Sequence, residues 1–410
     1  MKSHCDGFSI AKCMHVRPIT RYAVFLLTLS SLIYDGHAVE NAKLELGANV
    51  NEFITRLEPG LLDRSHTIWV RGFLPVSQFI SGSRSVTNDA DIQTLKQCAR
   101  DGRKVILTIK WDLKLAKWRV PTPNSEEEKK WFAWVDQLMG EMNGKISLLA
   151  LINEVFEDTQ PADLRPDANG RIPMVDFLQR LASHVANLHL QDAKEQALPL
   201  YCGGFTRLDT QGMQTNPATL ALMKWCASDP LITGVNFHLH ERNYEQFESA
   251  LKFLRQNVPE KRFIVTEFSL VLNYQAHLND KIGSDAAGQS FAARYQIAPD
   301  LTVRDYINHC LAKPVSEKEW NDFIGSRSWL DPNFLVHSCS LMKKNGVTVA
   351  TYAFSQKSSG GTRSLNTNTI PWLLNPIYVP GTALTADTNK PAINVAWFSD
   401  YLLRQQKSSM

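Results

Sequence analysis

Net charge is what this chain has least of. Over 410 residues, 44 basic side chains face 41 acidic ones, a formal charge of +3. Residues 1–38 account for two of those charges (Lys2, Lys12, Arg17 and Arg21 against Asp6 and Asp35), so the remainder carries +1. A nucleic-acid partner or an anionic membrane surface calls for a basic stripe, and the sequence has none. Cysteine is sparse too. Cys5 and Cys13 lie near the N-terminus, whereas Cys98, Cys202, Cys226, Cys310 and Cys339 are widely spaced, and no CxxC occurs. That excludes a disulfide-dense scaffold and a structural zinc site of the usual spacing. One or two disulfides remain open if the chain is exported. The apolar run Ala23–Ile33 is 11 residues, too short to span a bilayer as a helix. No internal repeat, low-complexity tract or linker divides the chain.

What is present is a composition of 44% apolar and 21% charged residues, enough for a large core. Arg17 and Arg21 precede the apolar run, and Gly36-His37-Ala38 gives a small-x-small pattern. Residues 1–38 therefore read as a signal peptide, with an uncleaved anchor as the alternative, and residues 39–410 as one domain.

The rest alternates between two periodicities. Continuous apolar runs read as buried strands at Lys43–Asn49, His66–Pro75, Lys104–Trp111, Ile146–Glu154, Leu198–Phe205, Leu231–His240, Arg262–Leu270 and Val347–Phe354. Helical spacing fills most gaps: Glu52–Leu62, Asp89–Arg100, a helix opened by the capping box Ser125/Glu128, Met174–Leu190, Pro217–Cys226, Tyr244–Asn257, Leu330–Lys344 and Ile393–Leu403. Eight internal strands alternating with helices predict a closed (β/α)8 TIM barrel in preference to an open doubly wound sheet. Residues 271–329 are too long for an ordinary connection and read as an excursion over one rim, between strands seven and eight.

In such a barrel, active sites sit at the C-terminal ends of the strands. The polar and aromatic residues there are Arg71 on strand two, then Lys110, Trp111 and Asp112 on strand three. Asn153 and Glu154 end strand four, His238 and His240 strand six, and Glu267 strand seven. Strand eight offers Tyr352, Ser355 and Gln356. Strands four and seven lie opposite each other in an eight-stranded ring, so Glu154 and Glu267 are expected to face each other across the mouth. Two facing carboxyls suit cleavage of a sugar bond: one protonated to release the leaving oxygen, the other ionised to attack the anomeric carbon. Arg71 is the candidate partner of the ionised one, and Asn153 can bond a sugar 2-hydroxyl.

Asn-Glu at strand four, Glu at strand seven, Arg at strand two and His-x-His at strand six resemble the retaining glycoside hydrolases of the (β/α)8 superfamily called clan A, which includes cellulase-like and xylosidase-like families. The resemblance covers roughly residues 42–405. It implies Glu154 as acid/base, Glu267 as nucleophile, His238 and His240 lining the subsite, a carbohydrate substrate and no cofactor or metal. Two departures stand out. Strand eight lacks the tryptophan platform common in the clan, with Tyr352 or Phe354 in its place, and His240 stands where many members carry tyrosine. Two other classes stay open. His238 and His240 lie on one face of a strand, as a metal-dependent barrel hydrolase requires, and a non-catalytic carbohydrate-binding barrel would share the fold. Hydrolysis and transglycosylation also remain alternatives, since both pass through the same glycosyl-enzyme.

Overall fold

The computed structural model describes residues 43–190, 198–357, 364–386 and 390–409. Residues 1–38, which the sequence reads as a signal peptide, lie outside the described residues. Eight parallel strands close on themselves in chain order: β1 (Glu45–Asn49), β2 (Trp69–Pro75), β3 (Lys104–Lys110), β4 (Leu148–Ala150), β5 (Leu200–Phe205), β6 (Ile232–His240), β7 (Arg262–Ser269) and β8 (Val347–Ala353). β8 pairs with both β7 and β1, which completes the ring. The (β/α)8 architecture expected from the strand count is the one observed.

The lower interior of the barrel is filled by Trp69, Ile106, Leu148, Tyr201, Ile264 and Val349, one from each of six strands. The other two strands contribute Gly47 and Gly234, where a Cβ would overlap Trp69 and Tyr201. The alternate residues point outward and pack under the helices. The floor is therefore solid, and the polar residues gather at the opposite, C-terminal end. No helix among the described residues is long and apolar enough to cross a membrane. The five cysteines from Cys98 to Cys339 are buried and unpaired.

Several elements differ from the sequence reading. The helix expected over 52–62 is two pieces, a 3-10 turn at Ile54–Arg56 and a helix at Pro59–Arg64. Pro59 starts the second piece at its first position, where a missing N–H costs nothing. Strand four is shorter than its apolar run. Regular pairing ends at Ala150, and the Ile152 carbonyl is taken by the side-chain amide of Asn236. The 271–329 excursion is a helical layer built on Val271–Ala276, Ala286–Tyr295, Val303–Ala312 and Glu317–Gly325. Its aromatics Tyr274, Phe291, Tyr306 and Trp320 are buried in the same core as the outer layer of the barrel. A second excursion, after β8, escaped the sequence reading. It carries the short strand Ala383–Leu384, which pairs in parallel with Val315–Ser316 of the first and ties the two together.

Candidate active site

Each strand end contributes according to its parity. On β2 and β3, the residues that line the floor (Trp69 and Ile106) are followed two places on by Arg71 and Thr108, which face the same interior. On β6, His238 and His240 follow Asn236 at the same spacing. β7 breaks the rule. Phe237 pairs with Val265 but His238 pairs with Glu267, so Thr266 has no partner on β6. This bulge shifts the parity by one. Without it Glu267 would follow Val265 outward into the helix layer; with it, Glu267 and Ser269 face the mouth and Phe268 packs outward against Phe334 and Tyr352.

Arg71 is the hub. It is fully buried, and its Nη1 donates to Glu267 Oε1 at 2.6 Å and to Asn49 Oδ1 at 3.0 Å. Nη2 donates to Asn153 Oδ1 at 2.6 Å, and Nε to the Thr108 hydroxyl at 3.2 Å. Five strand ends are thus fixed by one planar cation. His238 stands between the two glutamates, with Nδ1 3.0 Å from Glu154 Oε1 and Nε2 3.7 Å from Glu267 Oε1. His240 Nε2 is 3.5 Å from Glu267 Oε2, and its Nδ1 meets the Ser269 hydroxyl at 2.8 Å. Glu154 immediately precedes the short helix Val155–Asp158, with its side chain on His238 instead of the helix end. From there Asp158 reaches back to accept from Asn153 Nδ2 at 3.1 Å and from the Glu154 amide at 3.3 Å.

The two carboxyls differ in surroundings. Burial pushes Glu267 up, but the charges of His238 and Arg71 and the nearby His240 imidazole outweigh it and hold the group well below the usual carboxylate range. For Glu154, burial raises the pKa, and the hydrogen bond and charge of His238 lower it. The charge of Glu267 raises it again, and the balance falls below the ordinary value. The Glu154 side chain is 25% exposed and that of Glu267 11%, so Glu154 is the one nearer solvent. Burial lifts Asp158 to about 6 against the opposing charge of Lys110, whose Nζ is 3.7 Å away.

Among the sequence-selected residues, Arg71, Asn153, Glu154, His238, His240 and Glu267 are brought together. Trp111 and Tyr352 are not. Lys110 is on the inward parity of β3, so Trp111 faces out. There it stacks on Trp131 at 5.4 Å and donates Nε1 to the Leu151 carbonyl. Tyr352 likewise has outward parity on β8 and is fully buried, with its hydroxyl on Asn375. Neither can touch a ligand in the mouth. Asp112 turns aside to accept from the amide and hydroxyl of Ser77.

Three residues escaped the sequence reading. Asn49 ends β1 and could have been found by the same strand-end rule. Asp158 sits one helical turn past Glu154, a spacing that carries no signal alone. Trp372 comes from the excursion after β8 and lies 4.8 Å from the His240 ring, half-buried. An aromatic does therefore stand beside the mouth, supplied by a loop instead of the end of strand eight. Glu154, His238 and His240 also form the one group among the described residues with ligand atoms near enough to hold a metal, all within 4.8 Å of one another.

No family model matches the chain, and no curated protein matches it. Solved structures do. A family 39 glycoside hydrolase from the gut symbiont Bacteroides cellulosilyticus WH2 is similar at 11% identity and TM-score 0.50, over 90% of this chain and 64% of that one. A GH10 xylanase from Bispora sp. MEY-1, solved with xylobiose, aligns at 11% identity and TM-score 0.49, over 90% of this chain and 98% of that one. A β-glucosidase from Thermotoga maritima in complex with cyclophellitol aligns at 11% identity and TM-score 0.45, over 85% of this chain and 84% of that one. The chain thus spans less than two thirds of the family 39 enzyme's length. At such identities the likeness is one of fold, the eight-stranded parallel barrel of glycoside hydrolases.

Proposed function

We propose that this chain is an exported glycoside hydrolase that cleaves a poly- or oligosaccharide by double displacement. The observation that carries the reading is the pair Glu154 and Glu267. They come from opposite strands and meet across a single imidazole, one clamped in its ionised form by a buried arginine and the other nearer solvent. Glu267 attacks the anomeric carbon while the bond to the leaving oxygen breaks, and that oxygen takes a proton from Glu154. A glycosyl ester on Glu267 results. Water then attacks the same carbon, Glu154 takes the water's proton, and the Glu267 carboxylate is released.

Each neighbour has a task in that sequence. Arg71 keeps Glu267 ionised and aimed. Glu154 is held below the ordinary carboxylate value, so its acid proton arrives through the Nδ1 contact with His238. Asn153 has its oxygen fixed by Arg71 and one N–H fixed by Asp158, which leaves its second N–H for a sugar hydroxyl. His240, backed by Trp372, forms the wall beside the nucleophile. Residues 1–38 serve as the signal peptide in this reading.

The test is turnover by the secreted protein and its Glu267→Ala variant on polysaccharides and aryl glycosides, with and without azide. The expected result is a substrate cleaved by the wild type, an inactive variant, and recovery by azide through a glycosyl azide of inverted configuration. Activity that survives the variant, or that a chelator abolishes, removes the two-glutamate chemistry.

A further inference from the structure

The contacts around Glu267 leave two buried nitrogens without partners. Ser269 Oγ accepts the Val271 amide at 3.4 Å and meets Nδ1 of His240 at 2.8 Å, which orients the ring. His240 Nε2 is buried and without a hydrogen-bond partner, 3.5 Å from Glu267 Oε2. His238 Nε2 is also buried and without a hydrogen-bond partner, 3.7 Å from the other oxygen of Glu267. Its Nδ1 faces the Glu154 carboxylate. Two buried imidazole nitrogens without hydrogen-bond partners thus converge with two carboxylates, and a buried polar nitrogen left unsatisfied is costly. A metal cation answers such a set, because one ion can be shared by several of the converging atoms.

We propose that the mouth also binds a divalent transition-metal cation of the zinc type, held by Glu154, His238 and His240, and that the bound ion shuts the site to substrate. Two imidazoles and one carboxylate suit zinc, copper or nickel, and offer too few oxygens for calcium or magnesium. Both imidazoles project from one face of β6, and Ser269 holds one of them in orientation from behind, at its far nitrogen. A tetrahedral site with bonds near 2.1 Å needs ligand atoms about 3.4 Å apart. The three donors, within 4.8 Å of one another, must therefore close in. Glu154 is the group that can move, because its side chain reaches solvent at the rim whereas His238 is enclosed. Water takes the fourth position. An ion so placed occupies the carboxylate of Glu154 and the space in front of Glu267. Binding stands on the donor set alone; only the loss of activity rests on the glycosidase reading.

Calorimetric titration of the full chain with zinc chloride tests the site, and cobalt(II) absorption reports its geometry. One ion is expected, with a Kd of roughly 1 μM, and cobalt should give the intense visible bands of a four-coordinate centre. His240→Phe should weaken uptake by about 100-fold, and Glu154→Gln by about 10-fold. His189→Ala should change nothing, although His184 and His189 both contact Asp136 on the outer surface and are the rival place for an ion. On any substrate the wild type cleaves, saturating zinc should cut turnover more than ten-fold, and a chelator should restore it. No uptake by the wild type, octahedral cobalt, equal uptake by a folded His240→Phe variant, or uptake lost only with His189→Ala overturns the site. Uptake that depends on His240 but raises turnover overturns both the inhibition and the two-glutamate chemistry. Uptake as expected with no substrate found supports the site and counts against the glycosidase reading alone.

Discussion

Arg71 and Glu267 meet at 2.6 Å across the barrel interior, and the arginine side chain has no exposed surface. Such a pair is costly to desolvate and is tolerated because each nitrogen of Arg71 also has an acceptor among Asn49, Thr108 and Asn153. Replacing Arg71 by Met leaves a buried carboxylate facing only the histidines. The variant is expected to lose about 3–5 kcal/mol in urea unfolding. With a positive neighbour gone, the Glu267 carboxyl rises, so the acidic limb of kcat/KM should move to higher pH. Arg71→Lys keeps the charge but not the planar fork, and should shift that limb less while still lowering kcat.

Asp158 makes a separable contribution. It does not touch the mouth but accepts from both the Asn153 side chain and the Glu154 backbone. Asp158→Ala leaves two N–H groups without an acceptor in a buried place, at a cost of about 2 kcal/mol, and frees Asn153 to rotate. The expected result is a fall in kcat of about ten-fold with KM nearly unchanged, since Asn153 is asked to act on the sugar most strongly in the transition state. Asp158→Asn keeps an acceptor oxygen and should recover most of both losses. Steady-state kinetics and urea melts on the two variants decide it.

Much of this arrangement was legible in the chain because a barrel needs little information. Eight apolar runs separated by helices fix the count, and the count fixes which strands face each other. That is why the strand count alone sets Glu154 and Glu267 across the mouth from one another. Strand ends are less legible where a single residue decides. Trp111 and Tyr352 lie near strand ends, but their parity, one place from Lys110 and Thr351, sends them outward. Glu267 reaches the mouth only through the bulge at Thr266, which no periodicity announces. Trp372 arrives from a loop whose path depends on tertiary pairing between the two excursions, over a separation of nearly 70 residues.

Trp372 and His240 are in edge contact, with ring centroids 4.8 Å apart and planes at 76°. On the proposed mechanism the half-buried tryptophan would form an aromatic wall beside Glu267 against which an apolar sugar face can pack. Trp372→Ala is expected to raise KM about ten-fold, equivalent to roughly 1.4 kcal/mol, with a smaller effect on kcat. Trp372→Phe should retain most of the affinity. Inhibition constants for a monosaccharide product, measured on both variants, separate this stacking role from damage to His240.

Just beyond the mouth, Glu241 gives a pH signature of its own. The carboxyl is fully buried at the end of β6, on the face opposite His240, with Arg207 at 3.3 Å. Burial, reinforced by Asp209, pushes it up to about 8 despite Arg207. The unfolded chain releases this proton near pH 4.5, so between there and about 8 the folded state binds more protons than the unfolded one. Stability from this group is then full below pH 4.5 and is lost as pH rises towards 8. Glu241→Gln removes that slope. Its Tm should exceed the wild type's by roughly 3 °C at pH 8, with the difference shrinking at pH 5; a constant difference across the range would rule the titration out.

Gly204 tests whether the two glutamates depend on backbone position as much as on chemistry. It has φ of +56° on β5, and a Cβ there would overlap the Asn153 carbonyl. The neighbouring strand therefore approaches as closely as it does only because position 204 has no side chain. Gly204→Ala must push Asn153 and Glu154 away from β5, and their displacement is transmitted to Arg71 through Asn153 Oδ1 and to His238 through Glu154 Oε1. A shift of about 1 Å at reacting groups can cost 100-fold in rate, whereas a strained glycine replacement costs about 1–3 kcal/mol in stability. The variant should therefore remain folded at 25 °C with kcat reduced by about 100-fold. Its loss should not add to that of Asp158→Ala, because both act by misplacing the same two residues. Strict additivity in the double variant would mean that Gly204 and Asp158 act on different parts of the site.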